Sequence, residues 1–149
     1  MKKLIWIILF VGLVSVAGRS NAQIRKIPAR VTNSMHARYP EAKNIAWRDK
    51  ITRFQANFDL NGNRYEAKFN RKGYWKRTEV YLSSNNLPKS IKDGLRKSKY
   101  RNWRVRSSYV IYLPGEKTRY HVHVAKNDLR QKELVFTMQG QLMKDNMAI

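Results

Sequence analysis

Apolar and polar positions along the chain change period twice, in the same order each time. After Ile27-Pro28, Val31, Met35 and Tyr39 recur every four residues and share one helical face. Proline suits a first helical turn, whose N–H has no partner there, and Pro40 stops the helix. The period then becomes two. Phe54, Ala56, Phe58 and Leu60 alternate with Gln55, Asn57 and Asp59, and beyond Asn61-Gly62 the alternation resumes in Tyr65, Ala67 and Phe69. Both turn residues tolerate positive φ, so the pattern predicts a hairpin. Gly73 opens a further strand through Tyr74 to Val80.

The order returns at Leu87-Pro88, with Ile91 and Leu95 at matching offsets and Tyr100 one place beyond the match to Tyr39. Tyr109, Ile111 and Leu113 form the next alternating set, Pro114-Gly115 turns the chain, and Tyr120, Val122 and Val124 follow. Asn127-Asp128 makes another turn, and Leu134 and Phe136 precede Gly140. Phe69 to Gly73 and Phe136 to Gly140 are both four-residue steps. The predicted fold is α+β, built as two tandem repeats at about 27–82 and 87–143, each a helix packed on its own antiparallel sheet of about four strands.

The N-terminus reads differently. Met1-Lys2-Lys3 precedes an apolar run of 15 residues from Leu4 to Gly18, then Ser20 and Ala22 in a small-x-small exit. The run is shorter than the roughly 20 residues that span a bilayer core. It predicts a signal peptide over 1–22, cleaved near Ala22 and leaving no membrane-spanning segment; the competing reading is an uncleaved anchor, with Arg19 at the interface. Removing 22 of 149 residues leaves 127, one domain at 23–149, in a periplasmic or secreted protein. With no Cys, neither a lipid-bearing cysteine nor a disulfide is available, and stability rests on apolar packing.

Three of the 31 Lys and Arg lie in the signal, so 28 face 10 acidic residues, about +18 for the remainder. Such a charge favours an anionic partner, unless it is only a solvated surface. An enzyme is not expected. The chain has three His, His36, His121 and His123, and lacks a nucleophile motif, a zinc-binding His-Glu-x-x-His and a phosphate loop.

Ile27-Pro28, Tyr39-Pro40-Glu41-Ala42, Trp47, the strand ending in Phe69, Gly73-Tyr74-Trp75, Thr78-Glu79 and Leu87-Pro88 stand in an order that resembles the PepSY-like, beta-lactamase-inhibitor-like family of exported bacterial proteins. The likeness runs from about Ile27 to Leu142. It implies a tandem helix-on-sheet fold, no catalytic activity, and a role in binding or inhibiting another protein. The second half departs from it, carrying Lys99-Tyr100-Arg101-Asn102-Trp103-Arg104 where a Tyr-Pro step would stand.

The alternation also predicts an open, polar, cationic sheet face bearing Gln55, Asn57, Arg64, Glu66, Lys68, Arg77, Arg106, His121 and His123. Its breadth suits a macromolecule, either a protein or an anionic envelope polymer; no nucleic acid is expected. Candidate binding residues are Trp75, Arg77, Arg64, Lys68, Arg104, Arg106, His121 and His123. One of Tyr74 and Trp75 faces the core and the other faces water; an outward Trp75 would mark a binding surface. Trp103 is either a core residue, by its parity with Val105 and Tyr109, or a stacking platform among Arg101, Arg104 and Arg106. No cofactor or metal is expected. His121 and His123 have no further ligand nearby, and Asp59, Asn61 and Asn63 fit a turn better than a calcium loop, because Gly62 falls at the fourth position instead of the sixth.

Overall fold

The computed structural model describes residues 26–147, so the predicted signal peptide lies outside the described residues. Helix α1 (Ala29–Arg38) precedes β1 (Lys43–Lys50), β2 (Arg53–Leu60), β3 (Asn63–Asn70) and β4 (Trp75–Leu82). A 3₁₀ turn at Ser84–Asn86 leads into α2 (Lys89–Lys97), followed by β5 (Arg104–Leu113), β6 (Lys117–Ala125), β7 (Gln131–Thr137) and β8 (Leu142–Met147). Pro28 and Pro88 stand at the two helix N-caps. Among the described residues, no helix is long and apolar enough to cross a membrane.

The strands do not divide into two repeats with separate sheets, as the sequence pattern predicts. They form one eight-stranded antiparallel sheet in the order β1 to β8. The join is β4 on β5, where Val80 opposes Val110, Tyr81 opposes Tyr109 and Thr78 opposes Tyr112. Separate sheets would leave β4 and β5 each with a row of unpaired backbone N–H and C=O groups. Pairing them removes two edges at once.

Both helices cover one face of this sheet. Val31 and Met35 of α1 pack on Phe54, Ala56, Phe58, Ala67 and Phe69, and Ile91 of α2 packs on Val122, Val124, Leu134 and Phe136. Each such buried Val, Leu, Ile, Met or Phe side chain contributes about 1.5–3 kcal/mol of transfer free energy, and the alanines less. The hairpin predicted at Asn61-Gly62 forms, with φ of 49° and 75°.

Two bulges decide which side chains face the helices. Phe69 opposes Trp75 while Lys68 opposes Arg77, so Lys76 is an extra residue in β4. Val105 opposes Val124 and Ser107 opposes His123, so Arg106 is extra in β5. An extra residue reverses the alternation beyond it. The expected inward set of Tyr109, Ile111 and Leu113 is corrected accordingly: Ser108 and Val110 face the helices, while Tyr109 and Ile111 turn to the open side.

Each helix start is held against a turn glycine. Arg30 donates to the Arg71 carbonyl at 3.1 Å, and Ser90 Oγ donates to the Met138 carbonyl at 2.8 Å. A Cβ on Gly140, whose φ is 83°, would lie 2.0 Å from the Ser90 carbonyl oxygen. Gly140→Ala should therefore cost about 3 kcal/mol or more, from backbone overlap and a left-handed φ together. Gly115→Ala, at a φ of 74° with nothing within 4 Å of the added carbon, should cost only about 1 kcal/mol. Urea unfolding of both variants checks this; equal losses would show that contact with α2 is not the constraint.

Candidate functional site: the open sheet face

Without helices over it, the second face of the sheet is read from its side chains alone. On β2 to β4 these form a charge ladder. Lys68 is only 11% exposed and sits 2.9 Å from Glu66 and 2.6 Å from Glu79. Arg77 Nε meets Glu79 at 2.6 Å, and Gln55 donates to Glu66 at 2.7 Å. A nearly buried ammonium between two carboxylates is tolerated because each desolvated charge finds an opposite one. Arg64 lies at the rim, 3.5 Å from Asp59.

On β5 to β7 the face changes character. The Tyr81 and Tyr109 rings meet edge-on across the central join at 5.8 Å, and Tyr109 lies against the His123 ring at 6.3 Å. His121 Nδ1 and His123 Nε2 both meet Glu133 Oε1, at 2.8 and 3.4 Å. Ile111 and Val135 lie buried among these groups, and Tyr81 remains 57% exposed. The result is an aromatic centre flanked by neutralised charges.

The predicted residues therefore divide. Arg77, Lys68 and Arg64 share the ladder, while His121 and His123 belong to the aromatic half. Arg104 is exposed at the start of β5, opposite Ala125, and Arg106, the bulge residue, reaches Asp128 at 3.2 Å. Trp75 is placed on the other side. The bulge at Lys76 turns its ring toward the helices, where it packs on the α1 cluster and donates to Thr78 Oγ1 at 2.8 Å. Arg38 covers its face at 3.3 Å, and Tyr74 is the residue that projects to water. Trp103 packs on the α2 cluster, edge-on to Tyr100 at 5.0 Å. The sequence reading missed Tyr81, Tyr109, Glu79 and Glu133. Only the strand pairing across the β4–β5 join, together with the parity reversal at Arg106, identifies the tyrosine pair.

Residues 52–144, well over half of the chain, match the family described as "putative beta-lactamase-inhibitor-like, PepSY-like". The chain belongs to this PepSY-like family. Solved structures agree. A BLIP-like protein of Bacteroides fragilis is 26% identical with a TM-score of 0.77, covering 83% of this chain and 87% of its own. A DUF2874-family protein of Bacteroides ovatus is 27% identical with a TM-score of 0.75, covering 82% and 88%. A protein of Bacteroides eggerthii named as "putative periplasmic", 18% identical with a TM-score of 0.71 over 82% and 89%, shares the fold. No curated protein matches the chain.

In this PepSY-like chain Trp75 holds structure, so Trp75→Ala should cost about 3 kcal/mol in urea unfolding. A fully stable variant would return the ring to the surface. Glu133 supplies a pH test. Burial pushes its carboxyl up, but the hydrogen bonds and charges of His121 and His123 outweigh this, and it titrates below its ordinary value. A depressed carboxyl stabilises the fold above the ordinary carboxylate range, and that contribution is lost as pH falls through the depressed value. Glu133→Gln should flatten the acid limb of stability below about pH 5 by up to about 1 kcal/mol, since the group is part-exposed, and leave stability above that range without added pH dependence. An unchanged limb would show that the histidines contribute nothing there.

Proposed function

We propose that the protein is an exported, non-catalytic binding module, with residues 1–22 as its signal peptide and 23–149 as one module, that engages another protein through the open sheet face. The observation that carries this reading is the Tyr81–Tyr109 pair at the centre of that face, Tyr81 exposed and Tyr109 half-buried beside it, above buried Ile111 and Val135. Aromatic anchors ringed by already-satisfied polar groups are the usual energetic centre of a protein interface. Family membership and the likeness to a BLIP-like protein support a binding or inhibitor-like role, and the periplasmic name of one structural relative supports export.

The other expectation, a charge-driven binder of anionic polysaccharide or lipid surface, gains nothing from this face. Lys68, Arg77, Arg64 and Arg106 each already meet a carboxylate. Of the ionisable residues among the predicted binding set, Arg104 alone has no ion pair among the described residues.

The test is capture from envelope extract by wild type and by a Tyr81→Ser/Tyr109→Ser double variant, washed at low and high salt. One protein retained by wild type at high salt, and held at least tenfold less by the double variant, supports the reading. Capture only of polysaccharide or lipid, lost at high salt, contradicts it, because released counterions then supply the affinity.

A further inference from the structure

A concavity lies on the opposite, helix-bearing face. It is a cleft of about 720 Å³ between the C-terminal end of α1 and the β5–β6 hairpin, and Tyr39, Tyr65 and Tyr112 line it together with Arg38, Lys117 and Thr118. It exists because α1 and α2 cover the two halves of the sheet and leave the central strands less covered. Tyr112, opposite Thr78 across the β4–β5 join, is 39% exposed there.

The walls are prearranged. Phe58 stacks with Tyr65 at 5.4 Å and meets the tilted Tyr39 ring at 4.8 Å, while the Tyr39 hydroxyl is tied to Thr78 Oγ1 at 2.6 Å. The Arg38 guanidinium carbon sits 3.3 Å from the centre of the Trp75 ring, which holds the group in place at the cleft. Rings and guanidinium held before binding lose little freedom on binding.

Apart from the Tyr39 hydroxyl, the polar groups of the cleft are uncommitted, unlike those of the open face. Among the described residues, neither Arg38 nor Lys117 has an ion pair, and the hydroxyls of Tyr65, Tyr112 and Thr118 have no hydrogen-bond partner. Burial raises the Tyr112 pKa, as do the neighbouring phenols of Tyr65, Tyr120 and Tyr39, so its hydroxyl stays protonated and able to donate. Against these donors stands one carboxylate, Glu116.

We infer that this cleft binds a carboxylated sugar ring, a hexuronic acid unit, through Arg38, Lys117 and the tyrosine wall. The apolar face of a pyranose suits the rings, its carboxylate suits the two cations, and its hydroxyls suit phenols that both donate and accept. An extended peptide fits less well. Its amide N–H groups need acceptors or a free strand edge, whereas the strands beneath the cleft are paired on both sides and Glu116 is the one dedicated acceptor.

Calorimetric titration of the purified protein with trigalacturonate, with a neutral glucose trimer and with a short oligoglutamate tests the inference. Trigalacturonate should bind at least tenfold more tightly than the neutral trimer. Arg38→Gln should lower that affinity about tenfold, and the isosteric Tyr112→Phe about fivefold, the worth of one hydrogen bond. Arg77→Gln, on the open face, should leave it unchanged. The inference is overturned by no binding of trigalacturonate, by equal binding of the neutral trimer, by tighter binding of oligoglutamate, or by equal losses in Arg77→Gln and Arg38→Gln. Arg38 and Tyr112 are both exposed, so these variants should fold, and thermal unfolding verifies that they do.

Discussion

The pairing of β4 with β5 is the constraint on which the other features rest. Five residue pairs, from Thr78–Tyr112 to Leu82–Ser108, turn two groups of strands into one sheet. The ladder does more than satisfy backbone groups. It sets Tyr81 against Tyr109 on the open side and leaves Tyr112 beside the cleft on the helix side. Both surfaces with binding character therefore straddle the same join, on opposite faces, where neither helix is centred.

The helices stand where they do because of close backbone contact. Gly94 of α2 and Gly140 approach so nearly that a Cβ on Gly94 would lie 2.0 Å from the Gly140 carbonyl oxygen. Gly73 meets the Arg30 carbonyl in a similar way, with a φ of 90°. Side chains at these points would lift the helices from the sheet and loosen both apolar clusters, so three glycines set the depth of the core. At the far edge, Asp145 accepts from Tyr100 and pairs with Lys99 at 2.9 Å, tying β8 to the segment between α2 and β5.

Charge is distributed less simply than a net +21 implies. On the open face the acidic residues are placed where they neutralise: Glu66 and Glu79 on Lys68, Glu79 again on Arg77, Glu133 between two histidines. Composition treats all cations alike. A desolvated cation needs a partner while a solvated one does not, so Lys68, 11% exposed, is held between two carboxylates, whereas Arg38 and Lys117 have no ion pair among the described residues and stand at the cleft.

Periodicity alone determined the helix faces at Val31, Met35 and Ile91, the Asn61-Gly62 hairpin, the inward rows of β2, β3 and β6, and the opposite row carrying Arg64, Lys68, His121 and His123. These follow from local geometry, a period of 3.6 or 2 read over a few residues. The order of short motifs was also enough to identify the family. Whether the strands form one sheet or two was not legible, because it depends on which edge meets β4, a contact between Leu82 and Ser108 across the whole of α2. Nor were the bulges legible: Lys76 and Arg106 look like any polar strand residue, yet each reverses the parity that follows. Trp75 thus turned inward and Tyr109 outward, and only the tertiary structure decided it, because register is set by pairing with a distant strand and not by the strand's own residues.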